Sequence, residues 1–321
     1  MKNIKKTKMY FNLKNEIFAA VRKINPNFRR LVEPVGQGSI DSRYCYSVFM
    51  RHIVHLFKNG MNQIPESVAE FGPGNSLGTG ICAILAGARK YYALDFVKYA
   101  DNTHNLKVLN ELITLFKEKA PIPDEKEFPD VQPLLDDYSF PTHIFSDKSM
   151  RENLSDKRIE LIKNALSGES SEIVIKYIVP WENYSGKYPN VDFIFSQAVL
   201  EHIDNLERFY KITSEIITKG GFVSHDIDFR SHDETYEWNG HWAISEKKWA
   251  KIRGTRAFLI NREPLSTHLN LLKENGFQII EKIPIKENSP SIKRKELTSK
   301  YKYLSDSDFE TSTCYIIAKK I

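Results

Sequence analysis

Three stretches carry side chains whose types and spacing can do chemistry. The first is Val68-Ala-Glu-Phe-Gly-Pro-Gly-Asn-Ser-Leu-Gly78, an apolar run that breaks into glycines and then opens a helical pattern. Gly72 and Gly74 let the chain turn sharply with its backbone close to a ligand, and the first N–H groups of the following helix offer donors. Asp95 ends the next apolar run, 21 positions beyond Gly74. A carboxylate at that distance, on a neighbouring strand end, can hold a ribose diol through two O–H···O⁻ bonds. The second stretch, Ser224-His-Asp-Ile-Asp-Phe-Arg230, is polar for the end of a central strand. His225 there has the pKa class of a general base, with Asp226 or Asp228 to orient it or to bind an acceptor. The third runs through His232-Asp233 to Trp238-Asn-Gly-His-Trp242, where aromatic rings flank amide and imidazole groups as a sugar would require; His241 is the second candidate base.

Each stretch also has a purely structural explanation. Any tight strand-to-helix turn selects glycine, a polar strand end can simply cap the next loop, and a Trp-rich loop can pack as a satellite core. Arg253, Arg256 and Arg262 are close enough in sequence to converge on a diphosphate, or each can serve an ion pair. Asp226, Asp228, His225, His232 and Asp233 are the residue types that hold a divalent ion, but their spacing selects none, and no metal is assigned.

The positioning elements follow from the apolar pattern. Short apolar runs alternate with helical segments from Ser67 onward, which predicts a doubly wound, mostly parallel α/β sheet of seven strands. The strands fall at 67–71, 91–95, 172–179, 191–196, 221–228, 277–284 and 313–319, and the helices at 43–58, 78–88, 99–119, 198–203, 207–218 and 264–275. Residues 1–60 read as an N-terminal helical cap, with one helix over 10–24, and residues 61–321 as the ligand-binding domain. Inserts at about 120–170 and 229–263 exceed a minimal α/β unit. Loops of that length in a compact domain are commonly functional.

The chain has 321 residues, 46 Lys+Arg against 41 Asp+Glu, and three cysteines without CxxC spacing. This composition excludes disordered, collagenous, coiled-coil and membrane-spanning classes, and neither a disulfide framework nor a structural zinc site is indicated. The net charge of +5 is mild and gives no reason to expect a nucleic-acid partner. The absence of a signal-like or spanning apolar segment leads to an expectation of a cytoplasmic protein.

A nicotinamide cofactor would want G-x-G-x-x-G, but position 77 is Leu and the third glycine comes one place late, at Gly78. Glu70 would repel a pyrophosphate, whereas it suits the amino group and sulfonium of S-adenosylmethionine.

On these residues the sequence resembles the S-adenosylmethionine-dependent methyltransferases of the doubly wound class I type, over about Ser67–Leu206 and Gly221–Asp228. Glu70-Phe-Gly-Pro-Gly-Asn-Ser76 looks like the family's E-x-G-x-G-x-G turn, with Ser76 in place of the last glycine. Asp192-Phe-Ile-Phe-Ser-Gln-Ala-Val-Leu-Glu-His-Ile203 resembles its fourth-strand motif. The resemblance implies S-adenosylmethionine as cofactor, held by Glu70, Gly72, Gly74, Asn75, Ser76, Asp95, Phe96 and Gln197. Trp181, in Ile178-Val-Pro-Trp181, either stacks on the purine where the family often has an acid, or is a core tryptophan. His202 lies in the fourth-strand motif, where a turn hydrogen bond also accounts for it.

Trp238-Asn-Gly-His-Trp242 with Leu259-Ile-Asn-Arg262 looks like methyltransferases of bacterial surface-polysaccharide gene sets. The implied activity is O-methylation of a sugar hydroxyl, with a nucleotide-linked sugar for a capsular or other surface polysaccharide as the expected acceptor and no nucleic-acid partner. Methylation of RNA or DNA, a non-catalytic methyltransferase-like scaffold and a dehydrogenase are the alternatives.

Overall fold

Ser67–Phe71 (β1) is buried along its whole length, as a central strand covered on both faces must be. It pairs in parallel with Lys90–Leu94 (β2) on one side and with Val191–Gln197 (β4) on the other. Val174–Ile178 (β3) extends the sheet beyond β2. Ile217–Asp228 (β5) lies in parallel beside β4, and Thr311–Lys320 (β7) inserts antiparallel between β5 and Phe277–Lys286 (β6). The seven strands stand in the order β3-β2-β1-β4-β5-β7-β6. This is the doubly wound, mostly parallel sheet of seven strands expected from the sequence.

The chain is described here, as a computed structural model, at residues 10, 11, 14, 38–169, 172–183, 189–256 and 258–321. Apart from Tyr10, Phe11 and Lys14, the helix expected over 10–24 lies outside the described residues.

Helices cover both faces of the sheet. On one side Ser42–Lys58 (α1), Gly78–Ala86 (α2), Asn102–Lys117 (α3), Asp147–Asn153 (α4) and Asp156–Leu166 (α5) build the larger apolar core. On the other, Leu206–Ile216 (α6) and Leu265–Glu274 (α8) pack over a second core. α1 shares the first core through Tyr46, Phe49, Met50, Ile53 and Leu56, so the boundary expected at residue 60 follows a helix packed on the sheet. Asp41 caps α1 by accepting from Arg43 N–H, and Asp101 caps α3 by accepting from His104 N–H. The expected helix over 198–203 is a single 3₁₀ turn, Leu200–His202. β5 starts at Ile217, earlier than expected, because Ile217 pairs with Val191 ahead of a register shift.

The insert after β5 contains Glu246–Arg253 (α7), and Asp306–Glu310 (α9) precedes β7. Trp238, Trp242, Ile292 and Tyr301 form a small separate core under this insert. Among the described residues no helix is long and apolar enough to cross a membrane.

Candidate active site

The strand order reverses between β1 and β4, and a crevice opens beyond their C-terminal ends. A cleft of about 140 Å³ lies there and extends across the end of β2, so that β1 and β2 bound its inner wall; it is lined by Gly72, Gly74, Asp95, Phe96, Trp181 and His202 among others. Gly72 and Gly74 sit at φ 70° and 72°, the left-handed region that glycine enters without strain. A Cβ on Gly72 would stand 2.5 Å from Val199 Cγ2, and one on Gly74 would stand 2.8 Å from Ser39 Oγ. The turn therefore needs glycine for both conformation and space.

Asp95 closes the other wall. Its Oδ1 accepts from Phe96 N–H at 2.7 Å, and its Oδ2 lies 3.4 Å from the donor Gly74 N. The carboxyl is buried, and burial raises its pKa above the ordinary value. The Asp95 carbonyl accepts from Trp181 N–H at 2.9 Å, fixing Trp181 at the cleft. The Trp181 ring meets Phe71 edge-on, with centroids 5.2 Å apart. It therefore both lines the cleft and packs in the core, which joins the two roles the sequence allowed.

Three of the expected cofactor side chains, those of Glu70, Ser76 and Gln197, point elsewhere, and Asn75 is held through its backbone. Glu70 is buried behind the turn, where Tyr91 donates its hydroxyl hydrogen bond to it, and burial pushes the acid up to about 8. It buttresses the turn and offers no charge to the cleft. Ser76 Oγ donates to the Ser39 carbonyl and accepts from Gly78 N–H at 3.1 Å. Asn75 N–H donates to Ser39 Oγ at 2.7 Å. Gln197 Oε1 lies 3.1 Å from His52 Nε2, and its Nε2 donates to Asp226 Oδ2 at 2.8 Å.

A second cavity of about 570 Å³ adjoins the end of β5, lined by Asp228, Arg230, His232, Tyr236, Trp238 and Phe11 among others. Phe11 and Tyr236 meet with ring centroids 6.4 Å apart, and Lys14 Nζ donates to the Asp233 carbonyl at 3.2 Å, so the described N-terminal residues close one side. Asp228 accepts from Arg230 Nη2 at 2.8 Å and lies 3.2 Å from His232 Nε2. Burial alone would raise the Asp228 carboxyl, but His232 and Arg230 hold it well below the usual range.

The candidate bases are corrected by the pleat. His225 points away from both cavities: it has no exposed surface, its Nδ1 lies 2.8 Å from Ser196 Oγ, and burial lowers its pKa to about 3. Asp226, on the opposite face, is also buried, and burial raises it to about 8. His241 sits beneath Trp242, 1% exposed, and burial followed by Arg262 lowers it to about 3. Of the four expected catalytic residues, only Asp228 reaches a cavity.

The arginines do not converge on an anion site either. Arg253 pairs with Asp204, Arg256 with the buried Glu234, and Arg262 with Glu246. Trp242 is fully buried and donates its Nε1–H to the Arg262 carbonyl at 2.9 Å, so only Trp238 of the expected aromatic platform lines the second cavity.

The two cavities meet at imidazoles. His202 lines the cleft, His232 lines the second cavity, and their rings stand 5.0 Å apart in an edge-to-face arrangement. The turn carrying His202 is clamped by Asn261, whose amide donates to the Leu200 and Ile203 carbonyls at 2.8 and 2.9 Å. Sequence reasoning did not single out Glu201, Asn261, Phe258 or Arg230 as site residues. The Leu200-Glu-His202 triplet was the available signal for the first of these.

No family model matches the sequence, and no curated protein matches it. Among solved structures, the chain is similar to an S-adenosylmethionine dependent methyltransferase from Mesorhizobium loti, with 10% identity over 83% of this chain and 96% of that one and a TM-score of 0.40. It is similar to phosphoethanolamine N-methyltransferase 2 from Haemonchus contortus, with 13% identity over 87% and 56% and a TM-score of 0.42. A third is geranyl diphosphate C-methyltransferase from Streptomyces coelicolor, with 11% identity over 84% and 75% and a TM-score of 0.40. Likenesses at these levels assign neither ligand nor acceptor to this chain.

Proposed function

We propose that this chain is an S-adenosylmethionine-dependent methyltransferase that binds its donor at the β1–β2 cleft and a small hydroxylated acceptor in the β5 cavity. One observation carries the reading: a nucleoside-type cleft and a larger aromatic-lined cavity abut at His202 and His232. A transferase needs two ligands brought together at one point.

The residues of the cleft fit the donor. Asp95 offers carboxylate oxygens to a ribose diol, Trp181 and Phe96 offer ring surface to a purine, and Gly72 and Gly74 let the backbone approach without a Cβ in the way. The cleft's 140 Å³ is below the about 300–1,000 Å³ of typical small-molecule sites. Bound there, S-adenosylmethionine would supply an electrophilic methyl group for an acceptor oxygen, with sulfur as the leaving group and cavity water to take the hydroxyl proton.

The chain's own contribution is alignment. Asp228, fixed by Arg230, orients His232, and this pair receives a hydrogen bond from the acceptor on the side facing His202. Phe11, Tyr236 and Trp238 give the cavity ring surface for a sugar face, which supports a sugar acceptor. Since the arginines near the insert are committed to ion pairs, a nucleotide-linked sugar has no charge cluster to favour it over a free one.

Incubating the chain with labelled S-adenosylmethionine and a panel of sugars, nucleotide sugars, amines and oligonucleotides tests this reading. Label transfer to a sugar hydroxyl is the expected result. Transfer only to nucleic acid or amines overturns the acceptor assignment, and no transfer with intact donor binding points to a non-catalytic scaffold.

A further inference from the structure

Glu201 has the least comfortable position of any carboxylate near the two cavities. Its side chain is 3% exposed, and neither Oε1 nor Oε2 has a hydrogen-bond partner among the described residues. Burial, reinforced by Asp228 and Asp226, drives its pKa well above the ordinary value. A buried carboxylate without donors is costly unless something positive meets it. Among the described residues no lysine or arginine pairs with it: Arg230 is engaged by Asp228 and Asp130, and His232 lies with Nε2 4.0 Å from Oε1.

What surrounds Glu201 is a set of ligand types. Glu201, His202 and His232 each present a ligand atom within 4.8 Å of the other two. The residues come from two separate elements, the turn after β4 and the loop after β5, and Asn261 fixes the first of these: its side chain holds the Leu200 and Ile203 carbonyls, and its N–H donates to the Glu201 carbonyl at 2.6 Å. His232 Nε2 faces two carboxylates at once, Asp228 Oδ2 at 3.2 Å and Glu201 Oε1 at 4.0 Å, so the ring stands in a strongly acidic corner. His232 also adopts φ 48°, the left-handed region that few residues other than glycine enter.

We infer that Glu201, His202 and His232 form a binding site for a single divalent first-row transition ion at the junction of the two cavities. Two imidazoles with one carboxylate suit Mn²⁺, Fe²⁺, Co²⁺ or Zn²⁺ better than Mg²⁺ or Ca²⁺, which prefer all-oxygen shells. The separation of 4.0 Å between His232 Nε2 and Glu201 Oε1 is within the span of two atoms bonded at about 2.1 Å to one ion. The ion would meet a Glu201 carboxylate oxygen and, with three protein ligands, keep open positions toward the second cavity. Its further role rests on the methyltransferase reading: an acceptor hydroxyl bound at an open position loses its proton to cavity water more readily than a free one.

The test uses the full chain, stripped with a chelator and dialysed against Mn²⁺, with bound metal counted per chain and Co²⁺ absorption as a second readout. Glu201→Gln keeps the shape of the buried group and removes its charge. His232→Asn removes the imidazole while placing at φ 48° a residue that tolerates the left-handed region. The wild type should take up one Mn²⁺ per chain, and both variants should bind at least ~10-fold more weakly. No stoichiometric uptake by the wild type, or wild-type affinity in either variant, overturns the site. Donor affinity measured on the metal-free chain separates the two ideas, since metal uptake without donor binding strikes the methyltransferase reading alone.

Discussion

His232 Nε2 stands 3.2 Å from Asp228 Oδ2, and Arg230 grips the same carboxylate through Nη2 at 2.8 Å. This chain of contacts fixes an imidazole between two cavities, and its central member is the only expected catalytic residue that reaches either of them. Asp228→Asn keeps the volume but weakens both grips. Turnover should fall about 10²-fold through loss of alignment, with donor affinity within a factor of about two. Steady-state kinetics beside donor calorimetry separate the effects; an equal loss in both would place Asp228 in the donor site instead.

Glu70 provides a pH signature of stability. Its ordinary value is 4.5 and burial in the folded chain raises it to about 8. Between those values the folded state holds a proton that the unfolded state has released, so this group's effect is a loss of stability as pH rises from about 4.5 to about 8. Glu70→Gln abolishes that slope. Relative to the wild type, the variant should gain stability steadily from pH 5 to pH 8.5 in denaturant titrations. A constant difference over the range would mean that Glu70 is ionised in the folded chain.

Trp242 distinguishes a packed insert from a sugar platform. It is fully buried against Trp238, and its Nε1–H is bound to the Arg262 carbonyl. Trp242→Ala should cost about 3–5 kcal/mol of stability by opening a cavity. Turnover per folded molecule should stay near the wild-type value, because the ring touches neither cavity. Retained stability with a raised KM would restore Trp242 to the acceptor surface.

The doubly wound sheet was legible because its parallel strands are continuous apolar runs: β1 and the start of β4 fall where the pattern put them. The glycine turn and Asp95 were legible for a related reason, since backbone geometry confines a strand-end turn to a few residue types. The side chains at the end of β5 were not. A one-residue step along a strand reverses the face, so His225 turns toward Phe209 and Tyr210 while Asp226 turns toward Gln197. Sequence alone does not say which face is roofed by a helix and which ends at a cavity. Glu70 shows the same limit, because its carboxylate meets Tyr91, a partner from the next strand. Glu201 and His232 are 31 positions apart and are joined only when β4 and β5 lie side by side.

Donor calorimetry on the wild type and on Asp95→Asn bears most directly on the cleft between β1 and β2. Asn retains an acceptor for Phe96 N–H but loses the charge offered to a ribose diol. One S-adenosylmethionine per chain, bound roughly 10–100-fold more weakly by the variant, is the expected result, matching the 1.5–3 kcal/mol or so of hydrogen bonds to a charged group. Absence of binding by the wild type, or equal affinity in the two proteins, contradicts the placement of the donor against Asp95.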